Sequence, residues 1–273
     1  MTSNDGRPPR LPREVAGTAI WLASGDNTVR MSGGADFESL ADYYRRLGLA
    51  EDAWHVGPEH PSLEQLALRI LAESDGARIL EVGVQSGGFS VPVILEVFRR
   101  KGFAYTGIDN LAYTNAVPLR LIEVYLRQSG VAGPLRFLEG DSTSLLRAEG
   151  PSSYDFILLD HYKPKYPIDL YVICARELLS ERGTIVLHDV LAHAAPQWRI
   201  CQQICRAFGY VWTIDEDVFQ GAAIIRRGGR RRTPAIARSL IGLGVAARWN
   251  LHAAIGHARR AAGRALRSIG LRP

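Results

Sequence analysis

The chain has 273 residues, of which 47% are hydrophobic and 22% are charged, and its formal net charge is +5. The apolar fraction is ample for a buried core, and the charged fraction is typical of a soluble protein. No segment approaches the roughly 18 uninterrupted apolar residues of a membrane-spanning helix, so we expect no membrane span.

The net charge conceals an uneven distribution along the chain. Residues 226–273 contain twelve arginines and no aspartate or glutamate, which leaves 21 basic and 28 acidic residues in the preceding part. An acidic body is therefore followed by a strongly basic tail. The N-terminus is polar without an apolar signal core, and three cysteines are too few for a disulfide framework. We expect a cytoplasmic enzyme.

Residues 1–60 are predicted to form an N-terminal leader and a helical cap. The first 35 residues are rich in proline, glycine and arginine, which is typical of a poorly ordered arm. Large side chains then recur at helical spacing between residues 37 and 47, so a helix is expected there.

Residues 61–227 are predicted to form the main domain, because helix and strand patterns alternate along them. A helix over 61–72 comes first. Strands are expected at 78–82, 104–108, 135–138, 155–159 and 184–188, and helices at 88–101, 116–128, just after 142, 167–179 and 196–208. Strands separated by helices indicate βαβ units and a parallel sheet.

Two further strands complete the predicted sheet. They span 210–214 and 219–225, and the four residues between them are too few for a crossover helix. These strands must therefore pair as an antiparallel hairpin. The predicted fold is α/β, with a doubly wound, seven-stranded and mainly parallel sheet that ends in a C-terminal antiparallel hairpin.

The first strand-to-helix turn is a candidate cofactor site. Residues 81–88 have the sequence Glu-Val-Gly-Val-Gln-Ser-Gly-Gly, and glycines there let the backbone approach a ligand. Gln85 replaces the middle glycine of the dinucleotide fingerprint, which argues against pyrophosphate binding. Asp109 ends the second strand, where a carboxylate can bind a ribose diol, and Gly140-Asp141-Ser142 ends the third. These polar strand ends indicate a nucleoside pocket.

Charged groups are concentrated after the fourth strand. Residues 159–166 have the sequence Leu-Asp-His-Tyr-Lys-Pro-Lys-Tyr, which places Asp160, His161 and Lys163 within four residues. The fifth strand ends in His188-Asp189. Ligands bind at the carboxyl ends of strands in open α/β sheets, so this concentration favours catalysis over packing.

These motifs resemble those of a known family. Residues 81–90, Asp109, residues 140–142 and the hairpin are similar to the class I S-adenosylmethionine-dependent methyltransferase fold. The loop at 159–166, with Gly-Thr-Ile-Val-Leu-His-Asp at 183–189, is similar to catechol O-methyltransferase and its metal-dependent small-molecule relatives. The resemblance covers roughly residues 55–225. The motif at 81–90 is specific to the superfamily, and the loop at 159–166 is more diagnostic of the subfamily.

The resemblance implies S-adenosylmethionine as cofactor and magnesium as the metal. Asp160 and Asp189 match the family's metal ligands, and Lys163 matches its general base, so these three are the expected catalytic residues. A buried lysine beside a cation has a lowered pKa. The expected cofactor-binding residues are Glu81, Gly83, Ser86, Gly87, Asp109, Asp141, Ser142, Asp160 and His161.

One position departs from the family pattern. The family's third protein ligand is an asparagine directly after the second aspartate, and here that position is Val190. Either His188, His193 or water completes the metal shell, or the reaction uses no metal.

The leading interpretation is an O-methyltransferase acting on a hydroxyl of a small molecule, such as a diol, an aryl compound or a sugar, with help from a divalent metal. The alternatives are a metal-independent methyltransferase on another acceptor, including nucleic acid, and a cofactor-binding scaffold without activity. Nucleic-acid methylation is disfavoured because the loop after the fourth strand lacks the Asn/Asp-Pro-Pro-aromatic sequence of base amine methylation. An NAD-dependent oxidoreductase is disfavoured by Gln85 and the hairpin.

Residues 228–273 are predicted to form a basic amphipathic helical tail. Apolar residues recur there at helical spacing: Ile236, Leu240, Leu243, Ile255, Ala262 and Leu266. Such a helix can lie on an anionic membrane surface or pack on a subunit partner, including a second copy of the chain, and Trp249 favours an interface. A disordered tail is the next alternative, and phosphate contacts with nucleic acid are the least favoured. We expect a peripheral membrane location if the tail binds lipid.

Overall fold

The computed structural model describes residues 20–23, 29–32, 39–49, 61–74, 76–111, 117–191, 196–229 and 232–268. The chain divides into two compact units, Met1–Gly140 and Asp141–Pro273. The predicted leader contains a small antiparallel sheet of β1 (Ile20–Ala23) and β2 (Val29–Ser32). The sequence pattern gave no indication of these two strands.

The rest of the first unit alternates helices and strands. Its elements are α1 (Leu40–Arg46), α2 (Pro61–Ala72), β3 (Arg78–Val82), α3 (Ser90–Val97), β4 (Ala104–Asp109), α4 (Leu119–Gln128) and β5 (Leu135–Glu139). Strand β4 pairs in parallel with both β3 and β5. Ser39 caps α1, because its hydroxyl oxygen accepts the Asp42 N–H at 3.1 Å.

The second unit continues the alternation and ends in the hairpin and a long helix. Its elements are α5 (Ser142–Ala148), β6 (Tyr154–Leu159), α6 (Tyr166–Ala175), β7 (Leu179–His188), α7 (Pro196–Phe208), β8 (Tyr210–Asp215), β9 (Ala222–Arg227) and α8 (Ala235–Ser268). A single 3-10 turn, Lys163–Lys165, lies between β6 and α6.

Strands β3 to β9 form one sheet in the order β5-β4-β3-β6-β7-β9-β8. Strands β6 and β7 pair in parallel, whereas β9 runs antiparallel to both β7 and β8. Every residue of β6 is buried, as expected for a central strand covered on both faces. The predicted doubly wound, mainly parallel sheet with its terminal hairpin is confirmed.

Several predicted boundaries were wrong: strand β7, for example, begins at Leu179 rather than at residue 184. Two of the others share one physical reason. Helix α6 was expected to continue to residue 179, but it ends at Ala175 because Glu177 adopts a left-handed conformation with φ 54°. Strand β9 was expected from residue 219, but Gln220 and Gly221 have φ of 59° and 74°, so the turn extends to them. Non-glycine residues such as Glu177 and Gln220 rarely adopt positive φ angles, and no local sequence pattern predicts where they do.

Helix α8 packs on α6 and α7 along one face. Val245 is buried, Gly242 lies against the Tyr171 ring, and the Arg238 guanidinium lies 5.1 Å from the centre of the Phe208 ring. Helix α8 is therefore a folded part of the second unit. Among the helices that the structure describes, none combines the length and apolar character that crossing a bilayer requires.

Candidate active site

The strand ends of the second unit bring two predicted aspartates and a lysine together. Asp160 follows β6 and Asp189 follows β7, its parallel neighbour. The Lys163 Nζ lies 2.9 Å from Asp160 Oδ1 and 2.7 Å from Asp189 Oδ2. It also donates to the Tyr166 hydroxyl at 3.1 Å. The predicted catalytic residues thus form one cluster.

His188 contacts the other oxygen of each carboxylate. Its Nε2 lies 3.0 Å from the Phe219 carbonyl oxygen, which can only accept, so Nε2 carries the proton. Its Nδ1 lies 3.2 Å from Asp160 Oδ2 and 3.2 Å from Asp189 Oδ1. One ammonium faces two carboxylates, so a second positive charge, on His188 or from a cation, would neutralise the cluster.

The electrostatics of the cluster follow from this arrangement. Burial raises the pKa of Asp160, but His188 and Lys163 outweigh burial and hold it well below its usual range. Burial lowers the pKa of Lys163, yet the two carboxylates outweigh burial and raise it above 10.5. Burial likewise lowers the pKa of His188, and Asp160 raises it above 6.5. The lowered lysine pKa predicted for a cation-bound site therefore does not describe this arrangement, in which Lys163 is an ammonium.

Three acceptor atoms of this cluster fit a divalent cation. One ligand atom from each of Asp160, His188 and Asp189 can be chosen so that all lie within 4.8 Å of one another. Asp189 Oδ1 is buried and has no hydrogen-bond partner among the described residues. Lys163 contacts the opposite carboxylate oxygens, so its ion pairs do not use the atoms nearest to His188 Nδ1.

Val190 takes no part in this donor set. Its side chain is buried and apolar, and its N–H donates to the Gly221 carbonyl at 3.2 Å. Asp189 before it has φ 62°, a left-handed conformation that aspartate tolerates better than most residues. His193, the other histidine considered as a ligand, lies outside the described residues.

In the first unit, Asp109 holds the glycine turn together. Its Oδ2 accepts the Gln85 N–H and its Oδ1 accepts the Leu111 N–H, both at 2.8 Å. Gln85 has φ 50°, so this carboxylate stabilises a strained residue at the centre of the turn. Both oxygens retain a further lone pair, so the predicted ribose contact stays a prediction.

The two glycines of the turn are required by its backbone. Gly83 has φ 100° and Gly87 has φ 80°. A Cβ at Gly87 would lie 3.3 Å from side-chain atoms of Ile122 and Val91. The turn therefore presents backbone rather than side chains at these two positions, as a cofactor cradle requires.

Glu81 and Ser86 are both buried at this turn. Glu81 Oε2 accepts from the Ser90 and Tyr105 hydroxyls, each at 2.6 Å. The Ser86 carbonyl accepts from the Tyr44 hydroxyl of α1 at 2.8 Å. These contacts give both residues a structural role, and their predicted cofactor contacts are not tested by them.

A second buried network surrounds Asp169. This fully buried carboxylate accepts from the Ser142 hydroxyl at 2.6 Å and the Thr143 hydroxyl at 2.5 Å. Its Oδ2 also lies 2.7 Å from His161 Nε2. The His161 ring stacks on the Tyr166 ring with centroids 4.9 Å apart. Ser142 and His161, predicted to bind cofactor, are thus tied to one protein carboxylate.

Asp141 has two protein partners of its own. It caps α5 by accepting the Ser144 N–H at 2.8 Å, and it lies 2.5 Å from Lys165 Nζ. The Lys165 side chain is buried, and its Nζ lies 5.8 Å from the centre of the Trp249 ring of α8. Trp249 also packs edge-on against Tyr162 at 6.5 Å. Helix α8 therefore contacts the loop that carries Lys163.

Sequence reasoning missed Asp169 and Tyr44. A signal for Asp169 was present, because it is the one carboxylate in the otherwise apolar segment Tyr-Pro-Ile-Asp-Leu-Tyr-Val-Ile-Cys-Ala of α6. A carboxylate among apolar residues is rarely buried without partners. Tyr44 offered no such signal, since a tyrosine on a helix is most often a packing residue.

Comparison with known proteins supports the fold. No known family profile matches the chain, and no curated protein matches it significantly. An SAH-bound methyltransferase of Podospora anserina is 20% identical over 69% of this chain and 87% of that chain, with a TM-score of 0.50. A Corynebacterium glutamicum protein is 14% identical over 72% and 94%, with a TM-score of 0.54.

A third similar structure is also described as a methyltransferase. A Staphylococcus aureus protein assigned as a caffeoyl-CoA O-methyltransferase is 16% identical over 70% of this chain and 93% of that chain, with a TM-score of 0.50. Similarity at this level of identity concerns the fold. The chain has the class I methyltransferase fold that its strand-end motifs predict.

Proposed function

We propose that the protein is an S-adenosylmethionine-dependent O-methyltransferase that acts on a hydroxyl of a small molecule. The observation that carries this proposal is the convergence of Lys163, Asp160 and Asp189 after two adjacent strands of a methyltransferase fold. When bound, S-adenosylmethionine would supply its methyl group to the acceptor oxygen and would leave as S-adenosylhomocysteine. The hydroxyl proton must also be removed, and the oxygen must be held in line.

The glycine turn is the proposed cofactor cradle. Gly83 and Gly87 expose backbone there, and Asp109 fixes the turn through Gln85. A backbone cradle of this kind suits a nucleoside ligand better than a dinucleotide, since Gln85 stands where pyrophosphate needs glycine. The solved methyltransferase of Podospora anserina binds SAH, which agrees with the same choice for this chain.

We propose that Asp160, Asp189 and His188 hold a divalent cation. When bound, it would lower the pKa of the acceptor hydroxyl and chelate two neighbouring oxygens. The unpartnered Asp189 Oδ1 and the nearby His188 Nδ1 support this donor set. An imidazole ligand in place of the family's amide suits Zn2+ better than Mg2+, whereas the two carboxylates suit Mg2+ and Mn2+. Lys163 would lie beside the reacting hydroxyl, as the matching lysine does in the resembled family.

A metal-independent reaction is the second candidate, and the position of Lys163 favours it. Its ammonium already contacts both carboxylates, at 2.9 Å and 2.7 Å. In that case a protonated His188 would supply the second positive charge of the cluster, and no metal ion would be needed.

Methyl transfer to a panel of aryl diols and sugars, with and without Mg2+, Mn2+ or EDTA, tests the proposal. We expect Lys163→Ala to lower kcat by about a hundredfold or more, which is a usual loss for a proton-transfer group. The matched control is Lys101→Ala, an exposed lysine in the turn after α3. In the metal-dependent candidate a bound cation would take over the two carboxylates and lower the pKa of Lys163, so Lys163→Arg, which cannot accept a proton, should resemble the alanine variant. If Lys163 acts only as an ammonium, Lys163→Arg should retain activity.

Calorimetry of metal binding, together with activity in EDTA, separates the two candidates. Binding of Mn2+ to the parent and its loss in Asp160→Asn and Asp189→Asn would support the metal site. Full activity in EDTA would favour the metal-independent reaction. Absence of S-adenosylhomocysteine binding, or unchanged kcat in Lys163→Ala, would contradict the methyltransferase proposal.

A further inference from the structure

Helix α8 is held in one orientation by its packed face. Val245 is buried there, and Gly242, four residues from Arg238, lies against Tyr171 of α6. Further along the same face, Trp249 contacts Lys165 and Tyr162. These positions recur every three to four residues, so one stripe of the helix faces the second unit.

The opposite face exposes large apolar side chains. Ile236 and Val245 are nine residues apart, which is two and a half helical turns and places them on opposite sides. The exposed fractions of the five large apolar residues range from 45% to 79%. They are Ile236, Leu240, Leu243, Leu251 and Ile255. We call these five residues the outer stripe.

The charge around the outer stripe has a single sign. Residues 226–273 contain twelve arginines and no acidic residue. Arg248, between the two halves of the stripe, is exposed. With 34 residues, α8 is about 50 Å long, and no described helix qualifies as membrane-spanning. An apolar stripe on a helix whose charged residues are all arginines is complementary to a surface that is apolar inside and anionic outside.

We propose that the outer stripe of α8 docks the protein on an anionic membrane surface, with the helix lying in the plane of the interface. Arginines near the surface attract anionic headgroups, and the stripe buries its side chains among the upper acyl carbons. The packed face keeps its contacts with α6, α7 and the 159–166 loop. This inference rests on α8 alone and holds whether or not the proposed reaction is correct.

Other occupants fit the same face less well. Two copies of α8 packed stripe to stripe would bring their arginines together with no carboxylate on either helix to neutralise them. A nucleic acid would pair with the arginines but would leave the apolar stripe against phosphates and water. A membrane surface satisfies both features of the helix.

Flotation of the full-length protein with vesicles tests the proposal. We expect binding to phosphatidylcholine vesicles that contain one-third phosphatidylglycerol, little binding to phosphatidylcholine alone, and weaker binding at high salt. The triple variant Leu240→Ser/Leu243→Ser/Leu251→Ser should bind the anionic vesicles at least about tenfold more weakly than the parent. These side chains are exposed, so the variant should fold, which circular dichroism would check.

The matched control is Val211→Ser/Ile214→Ser, which removes two exposed apolar side chains from β8 and should bind like the parent. The proposal is overturned if the parent does not float, if it binds both vesicle types equally, or if the triple variant binds as the parent does. It is also overturned if sedimentation equilibrium shows a dimer that the triple substitution abolishes, because a second copy would then cover the stripe.

Discussion

At the residue scale, Asp169 illustrates how a buried carboxylate can organise the surroundings of a site without facing a ligand. Its oxygens accept from Ser142 and Thr143 at the start of α5 and contact His161 in the 159–166 loop. The carboxylate is fully buried, so each of these groups depends on it for a partner. It therefore fixes the loop in which Lys163 lies.

Replacing Asp169 should be costly. Asp169→Ala would leave two buried hydroxyls and an imidazole without their acceptor, and we expect the free energy of unfolding to fall by about 3 kcal/mol. Asp169→Asn keeps the shape and should cost less. Urea denaturation measures both, with Ser144→Ala at the exposed start of α5 as control. A loss below about 1 kcal/mol in the alanine variant would contradict this role.

Glu64 gives the protein a pH dependence that is independent of the site. Burial raises the pKa of this carboxyl from 4.5 to about 7 in the folded state. Its stabilising contribution is therefore complete below pH 4.5 and is lost as the pH rises toward 7, by at most about 3 kcal/mol. Glu64→Gln should flatten the stability profile between these pH values. Thermal unfolding at several pH values measures this effect. If Tm changes equally with pH in the parent and the variant, the carboxyl is solvated and its pKa is not raised.

At the scale of elements, the turn between β3 and α3 combines a strained backbone with a close approach to α4. Gly87 meets both conditions, because its φ is 80° and a Cβ there would lie 3.3 Å from Ile122. Gly130 offers a matched comparison, since its φ is 85° and a Cβ there would meet nothing within 4 Å. The pair separates backbone strain from crowding at the turn.

Alanine at either glycine should lower stability by about 1 to 2 kcal/mol through left-handed strain. We expect only Gly87→Ala to weaken S-adenosylhomocysteine binding, because only that turn is proposed to contact cofactor. Calorimetric titration of both variants checks this. Similar affinities in the two variants would remove Gly87 from the cofactor site.

Helix α8 affects the other candidate element, the 159–166 loop, through Trp249. Loss of this ring in Trp249→Ala removes packing from Tyr162 and Lys165. A small displacement of a catalytic group is costly, so we expect kcat to fall about tenfold while cofactor affinity stays unchanged. The exposed neighbour Asn250→Ala is the control. An unchanged kcat would show that the contact of α8 with the 159–166 loop does not contribute to the reaction.

At the scale of the whole molecule, the sequence was sufficient to predict the features that depend on hydrophobic periodicity and on the residues at strand ends. The alternation of strands and helices was sufficient for the sheet and its hairpin. The approach of Asp160 to Asp189 followed because both end neighbouring parallel strands. The Asp169 network and the Tyr44 contact depend on side chains far apart in sequence, which no local pattern encodes. The orientation of α8 was also hidden, because apolar residues occur on both of its faces.

The chain has only three lysines, and they differ sharply in burial: Lys101 is exposed, Lys163 is partly buried and Lys165 is buried. Among the three lysines, an amine-acylating reagent should therefore modify Lys101 first. Two of the three lysines lie in the 159–166 loop, and the basic tail contains arginines but no lysine. Peptide mass spectrometry of the acylated protein would therefore report mainly on this loop. Slower acylation of Lys163 in the presence of a ligand would report occupancy of the site before any product is identified.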